Sequence, residues 1–191
     1  MKLTFKSLGT LPLYRFLSTV PKLLNLVQEA ALEEHCILVD KHDQECGFAS
    51  KRDCHRLRSS TKITFSDHYT NSCCSHPLYE IEHERKDLEG AKAAACRRLV
   101  FELGIPTNQC HPKDLQYITR IRYMSKGVKP GVNTKLITYL FCTKMFLWTP
   151  NPDEVATALY ISKSKMNTFL KNLNHPIIPW FNLIAQNQLT N

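Results

Sequence analysis

The stretch from Asp87 to Pro106 limits the fold of this chain more than any other. Leu88, Ala91, Ala95, Leu99 and Leu103 recur at helical spacing and lay an apolar stripe along one side of a helix. Asp87 stands at the capping position, Gly104 stops the helix and Pro106 prevents its resumption. Such a stripe must be covered, and the chain that follows supplies sheet. Leu115 to Met124 and Leu136 to Met145 are rich in β-branched and aromatic residues, and Met145 to Trp148 extends the second run. A helix is expected over Lys22 to Glu34, a strand over Cys36 to Asp40 and a turn over Lys41 to Cys46. Irregular chain follows through Lys51 to His76. A closing αβα run is expected over Ala156 to Ile161, Lys163 to Leu173 and Trp180 to Gln188. Helices and strands mixed in this way read as an α+β fold.

Chemistry is concentrated in Thr70-Asn71-Ser72-Cys73-Cys74-Ser75-His76-Pro77. A thiol works as nucleophile or base only as thiolate, and a neighbouring imidazole or metal ion is one of the few devices that lowers its pKa. Adjacent cysteines are also good small, buried apolar residues. Neighbouring residues form a disulfide only with strain, so Cys73 and Cys74 do not read as a bridge.

Eight cysteines would suit a disulfide framework in a small secreted protein, but no leader with an apolar core and small-residue cleavage site opens the chain. A reduced, intracellular setting is expected. No run of about 18 apolar residues is present, so no membrane span is expected. Residues 1–25 carry Lys2, Lys6, Arg15 and Lys22 without an acidic residue, and read as an N-terminal extension, either a mitochondrial presequence or a disordered segment. Residues 26–191 read as one domain, and the chain as a monomer.

Lys and Arg outnumber Asp and Glu by 25 to 17, which favours an anionic partner. Lys51, Arg52, Arg56, Arg58 and Lys62 crowd ahead of the cysteines, a cluster that suits a small anion or a solvated basic loop. Six glycines form neither GxGxxG nor GxxxxGK, so a dinucleotide fold and a P-loop are unsupported. Cys54, His55, Cys74 and His76 match no zinc-finger spacing, and no nucleic-acid partner is expected.

The cysteine segment resembles that of the type 1 isopentenyl-diphosphate delta-isomerases, which are relatives of the Nudix hydrolases. The resemblance runs in order through Cys36-Ile37-Leu38-Val39-Asp40, Lys51-Arg52-Asp53-Cys54-His55, Arg58 to Phe65, the Cys-Cys-Ser-His segment, Arg97 to Pro106 and Pro179-Trp180-Phe181. It implies a Nudix-like α/β/α sandwich and conversion of isopentenyl diphosphate to dimethylallyl diphosphate. In that reaction a proton is added at one end of an allylic system and removed at the other, by an acid and a base on opposite faces.

By the same resemblance Cys74 is one of the proton-transfer pair, Tyr123 supports the acid side and Trp180 faces the developing carbocation. Tyr123 and Trp180 also read as plain core aromatics. Lys51, Arg58 and Lys62 match diphosphate-binding positions, and lysine and arginine suit that task. Ser75 adds a hydrogen bond or is a simple turn residue. Glu102 matches a carboxylate that holds Mg²⁺ against the diphosphate, or else pairs with Arg98 four residues earlier. His55 and His76 match two of three histidines in a second site for Zn²⁺, Mn²⁺ or Mg²⁺. The family implies a cytoplasmic or peroxisomal enzyme; the N-terminus allows a mitochondrial one.

Three departures from the family pattern stand out. His55 runs straight into Arg56-Leu57-Arg58, so a block of about 25–30 residues is absent, including the second histidine and about two strands of ordinary length. Its loss takes sheet from the middle of the domain and leaves unpaired strand edges. Asn133 and Lys135 stand where the family carries two glutamates, and residues 131–141 contain no acidic residue. A lysine there puts positive charge where a cation should bind. Ser66-Asp67 replaces a stiff Pro-Gly turn. The chain therefore reads either as an impaired isomerase or as an inactive relative retaining at most diphosphate and metal binding.

Overall fold

The computed structural model describes residues 2–5, 10–15, 26–40, 42–56, 68–74, 76–124, 134–142, 144–152, 154–155 and 157–186. In chain order these form β1 (Lys2–Phe5), β2 (Thr10–Arg15), α1 (Leu26–Glu33), β3 (His35–Val39), β4 (Glu45–Ser50), α2 (Lys51–Arg56), β5 (Tyr69–Thr70) and β6 (Cys73–Cys74). After them come α3 (Asp87–Leu103), β7 (Leu115–Met124), β8 (Thr134–Cys142), β9 (Thr157–Ser162), α4 (Lys163–Lys171) and α5 (Pro179–Ile184). The mixture of helices with small, largely antiparallel sheets is α+β, as expected.

β8 divides the core. Period-two alternation sends Leu140 and Cys142 to one face, where they join Leu99, Leu103, Ala94 and Ala95 of α3, and Ile137 and Tyr139 to the other, where they join Met166, Trp180, Phe181 and Ile184. Helices thus cover both faces of the strand. The strand orders are β6-β1-β8-β7, β5-β2-β9 and β3-β4. β7 and β8 are antiparallel with a register shift between Tyr117 and Thr119, whereas β1 lies parallel to β8. Residues 2–5 and 10–15, inside the stretch read as an extension, form strands in the first two of these sheets.

Several local expectations change. Asp87 is the first residue of α3 rather than its cap; Lys86 takes the capping position without a side-chain bond, and Arg120 Nη2 donates to the Asp87 carboxylate at 3.0 Å. A guanidinium outcompetes the backbone N–H groups for that carboxylate. The closing run is strand, helix, helix rather than αβα. Thr157–Ser162 pairs along its whole length with β2, while Met166, Phe169 and Leu170 recur at helical spacing and pack around Trp180 and Phe181. Lys51–Arg56 is a helix, not irregular chain, and β8 ends at Cys142, short of Met145–Trp148. No helix among the described residues is long and apolar enough to cross a membrane.

Gly104 ends α3 as expected, with φ +59° and its N–H bonded to the Val100 carbonyl. It also lets the following loop dock. Thr149 donates its N–H to Leu103 and Asn151 to Glu102, which brings Thr149's carbonyl so near that a Cβ on Gly104 would lie 2.2 Å from it. Gly104→Ala is expected to lower the unfolding free energy by about 3 kcal/mol, combining a left-handed backbone penalty with a backbone clash. Urea denaturation followed by circular dichroism reads this directly; an unchanged midpoint would mean the loop docks elsewhere.

Candidate active site

The cysteines lie on a strand, so they face opposite ways. Cys73 joins the core on the α3 side, with its Sγ 4.0 Å from the Ala95 carbonyl, while half-buried Cys74 packs against the Tyr69, Ile137, Tyr139 and Trp180 cluster. The polar run before them is not a solvated turn: Thr70, Asn71 and Ser72 are at most 3% exposed. The Asn71 side-chain amide donates to the Cys73 carbonyl at 2.7 Å and fixes the bend into β6. Thr70 Oγ1 donates to Asn71 Oδ1 at 3.3 Å, whereas the buried Ser72 hydroxyl has no hydrogen-bond partner among the described residues.

The downstream end is fixed by a fully buried glutamate. Glu84 accepts two bonds from Arg97, at 2.6 Å from Nε and 2.9 Å from Nη2, and one from the Leu78 backbone N–H at 2.9 Å. Arg97 Nη2 also donates to the His76 carbonyl at 3.2 Å. Gly90 makes this possible, since a Cβ there would fall 2.1 Å from the Glu84 carbonyl. Nothing in the local sequence marks Glu84, because its partner is thirteen residues away on another element.

Tyr139 is the second residue that sequence reasoning passed over. Its hydroxyl donates to the Trp180 carbonyl at 3.3 Å, and burial, reinforced by the charge of a Cys74 thiolate, raises its phenol well above the ordinary value. Cys74, Tyr139 and Trp180 thus share one apolar wall. Tyr123 lies on β7 directly opposite Lys135 of β8.

Behind Cys73 lies a charged group. Arg98 bridges Glu102, at 2.8 Å from Nε, and Glu154, at 3.4 Å from Nη2. Glu102 is buried, not an exposed helix-end carboxylate, although its Arg98 partner is the one the helical spacing indicates. Burial and Glu154 outweigh Arg98 and Lys51 and push Glu102 up to about 7 from 4.5. Burial and the Glu102 charge likewise raise the Cys73 thiol. Between pH 4.5 and about 7 the folded chain holds a proton on Glu102 that the unfolded chain has released. Stability from this group is therefore greatest at the acid end and falls as pH rises through the window. Urea titrations in metal-free buffer are expected to show this fall, of up to roughly 3 kcal/mol, in the native chain and a flatter profile in Glu102→Gln. Parallel profiles would remove Glu102 as its source.

Lys51, at the start of α2, forms an ion pair with Glu34. Arg58, Lys62, Ser75, Asn133, Ser66 and Asp67 lie outside the described residues, as do the side chains of His55, Tyr123 and Lys135. Half-buried His76 lies two residues beyond Cys74. Among the described residues no three His, Cys, Asp or Glu side chains are placed to hold a metal ion. Glu102, the carboxylate expected to hold one, is engaged by Arg98.

No protein-family model matches the chain. It is 33% identical to isopentenyl-diphosphate delta-isomerase 1 of Mesocricetus auratus, over 83% of this chain and 83% of that protein. The chain belongs to the type 1 isopentenyl-diphosphate delta-isomerase family. Two further relatives in the family are isopentenyl-diphosphate delta-isomerase 2 of Homo sapiens, 32% identical over 81% of this chain and 82% of that protein, and the isopentenyl-diphosphate delta-isomerase of Phaffia rhodozyma, 32% identical over 85% and 77%. Family membership gives the Cys74 wall its chemical context.

Proposed function

We propose that this chain performs its family's isomerisation of isopentenyl diphosphate to dimethylallyl diphosphate in a weakened form, on a Nudix-like fold from which part of the original sheet is missing. The observation that carries the reading is the contrast between the two sides of the site. Cys74 stands half-buried on the wall formed with Tyr139 and Trp180, a setting for proton transfer to or from an apolar carbon skeleton. On the opposing strands, Lys135 takes the register position opposite Tyr123 where the family pattern places a carboxylate.

In this reading Cys74 moves one proton, Tyr123 and Trp180 line the allylic carbons, and Lys51, Arg58, Lys62 and Ser75 hold the diphosphate. Glu102 would hold Mg²⁺, which when bound neutralises diphosphate charge. Arg98 must first yield the carboxylate. His55 and His76 form a two-ligand remnant of the second site. The absent block has support in the alignment: the match to the Mesocricetus auratus protein runs over 189 positions but takes in 83% of these 191 residues, or about 159, so about 30 positions have no counterpart here.

A second reading, an inactive relative that keeps diphosphate binding, draws on the engagement of Glu102 by Arg98. Turnover separates the two. Purified full-length chain with Mg²⁺ and isopentenyl diphosphate is expected to form dimethylallyl diphosphate above the protein-free rate but far below that of the Mesocricetus auratus relative. Binding without product would select the second reading, and a rate equal to the relative's would overturn both. The cytoplasmic, peroxisomal and mitochondrial settings are separated by imaging the full chain.

A further inference from the structure

We infer that residues 2–5 and 10–15 are a positioning element for the reactive cysteine, built as strands into two of the sheets, and not a leader that the protein can shed. β6, which carries Cys73 and Cys74, has one ladder partner among the described strands, and that partner is β1. Lys2 stands opposite Cys74 and Leu3 opposite Cys73. On its other edge β1 runs parallel to β8 through Lys2↔Tyr139, Leu3↔Leu140, Thr4↔Phe141 and Phe5↔Cys142. At Lys2 the N-terminal backbone therefore joins Cys74 on one side to Tyr139 on the other, the two residues that meet on the candidate wall.

β2 repeats the arrangement one step upstream. Tyr14 and Arg15 pair with Thr70 and Tyr69 of β5, while Thr10 to Arg15 pair with all of β9. Pro12 falls where, among the described strands, β2 pairs with β9 alone, so a residue lacking an N–H is tolerated there. Both ends of the Tyr69–Cys74 segment are thus held by strands from residues 2–15. Remove those strands, and two-residue β6 loses its ladder, β5 keeps only the bridge from Tyr69 to Ile177, β8 acquires an open edge, β9 loses its ladder, and the cysteines lose the frame that sends them to opposite faces. β1 and β2 each add one strand, to two different sheets.

The test reads the cysteine frame, not turnover, so its failure is distinct from failure of the isomerase reading. A protease site placed between residues 16 and 25 of the full chain lets residues 1–15 be severed from the folded protein. The severed peptide is expected to co-elute on size exclusion, with Cys73 still resisting iodoacetamide under native conditions. Leu3→Pro removes a backbone donor from a strand paired on both edges. After severing, that variant is expected to release the peptide and alkylate Cys73 at least ten-fold faster. Hydrogen exchange on the unaltered chain gives an independent reading: the amides of residues 3–5 should exchange as slowly as those of residues 139–141. Loss of the severed native peptide with no change in Cys73 alkylation, or fast exchange at residues 3–5, would overturn the proposal.

Discussion

Cys74→Ala is expected to lower the residual formation of dimethylallyl diphosphate by about a thousand-fold, while Cys73→Ala leaves turnover within a few-fold of the parent chain. The two sulfurs are one residue apart and chemically alike, so the difference must come from where the strand sends them. Cys74 faces the aromatic wall with Tyr139 and Trp180. Cys73 is 1% exposed against α3, and burial together with Glu102 holds its thiol protonated. Removing a buried sulfur leaves a small void, so Cys73→Ala should instead reduce stability by about 1 kcal/mol. Alkylation of the native chain gives the same order without a substrate: Cys74 labels first and Cys73 only on unfolding. Equal loss of turnover in both variants would mean that β6 is displaced in solution and that the assignment of faces fails.

What was legible in the sequence divides along the range of the interactions concerned. α3 was readable because its apolar spacing and its Gly104 stop are local, and β7 and β8 because β-branched and aromatic residues crowd into them. The Asp87 cap was misread because Arg120, thirty-three positions away, takes the carboxylate. β9 and α4 were exchanged in kind: short apolar runs suit strand and helix alike until a partner is known, and the partner of β9 is β2. At the site, the family resemblance carried Cys74 and Trp180, and both lie on one wall. It did not indicate Tyr139, which the sequence presents as one more strand aromatic, or Glu84, which works through Arg97 from outside the motif. Sheet pairing by residues 2–5 and 10–15 was least legible of all, because each partner strand lies more than fifty positions away in sequence, and pairs so far apart, parallel or antiparallel, have no connecting turn to signal them.

Asn133→Glu with Lys135→Glu is expected to raise kcat by at least about a hundred-fold over the parent chain, since a positioned acid is worth that much in proton transfer. β7 and β8 place position 135 directly opposite Tyr123, so in the proposed reading the backbone at 135 is in place to carry the acid. Lys135→Gln separates charge from acidity. It removes the positive charge without supplying a proton donor, and should change kcat by no more than a few-fold while altering KM for the diphosphate. In the Cys74→Ala background the double glutamate variant should gain almost nothing, because acid and base act on one substrate and neither step proceeds alone. A rise that survives Cys74→Ala would place the reacting base elsewhere. No rise at all, with isopentenyl diphosphate still bound, would mean that the absent block and the Arg98–Glu102 pair disable the site more deeply than the two missing carboxylates do, and the inactive reading would then hold.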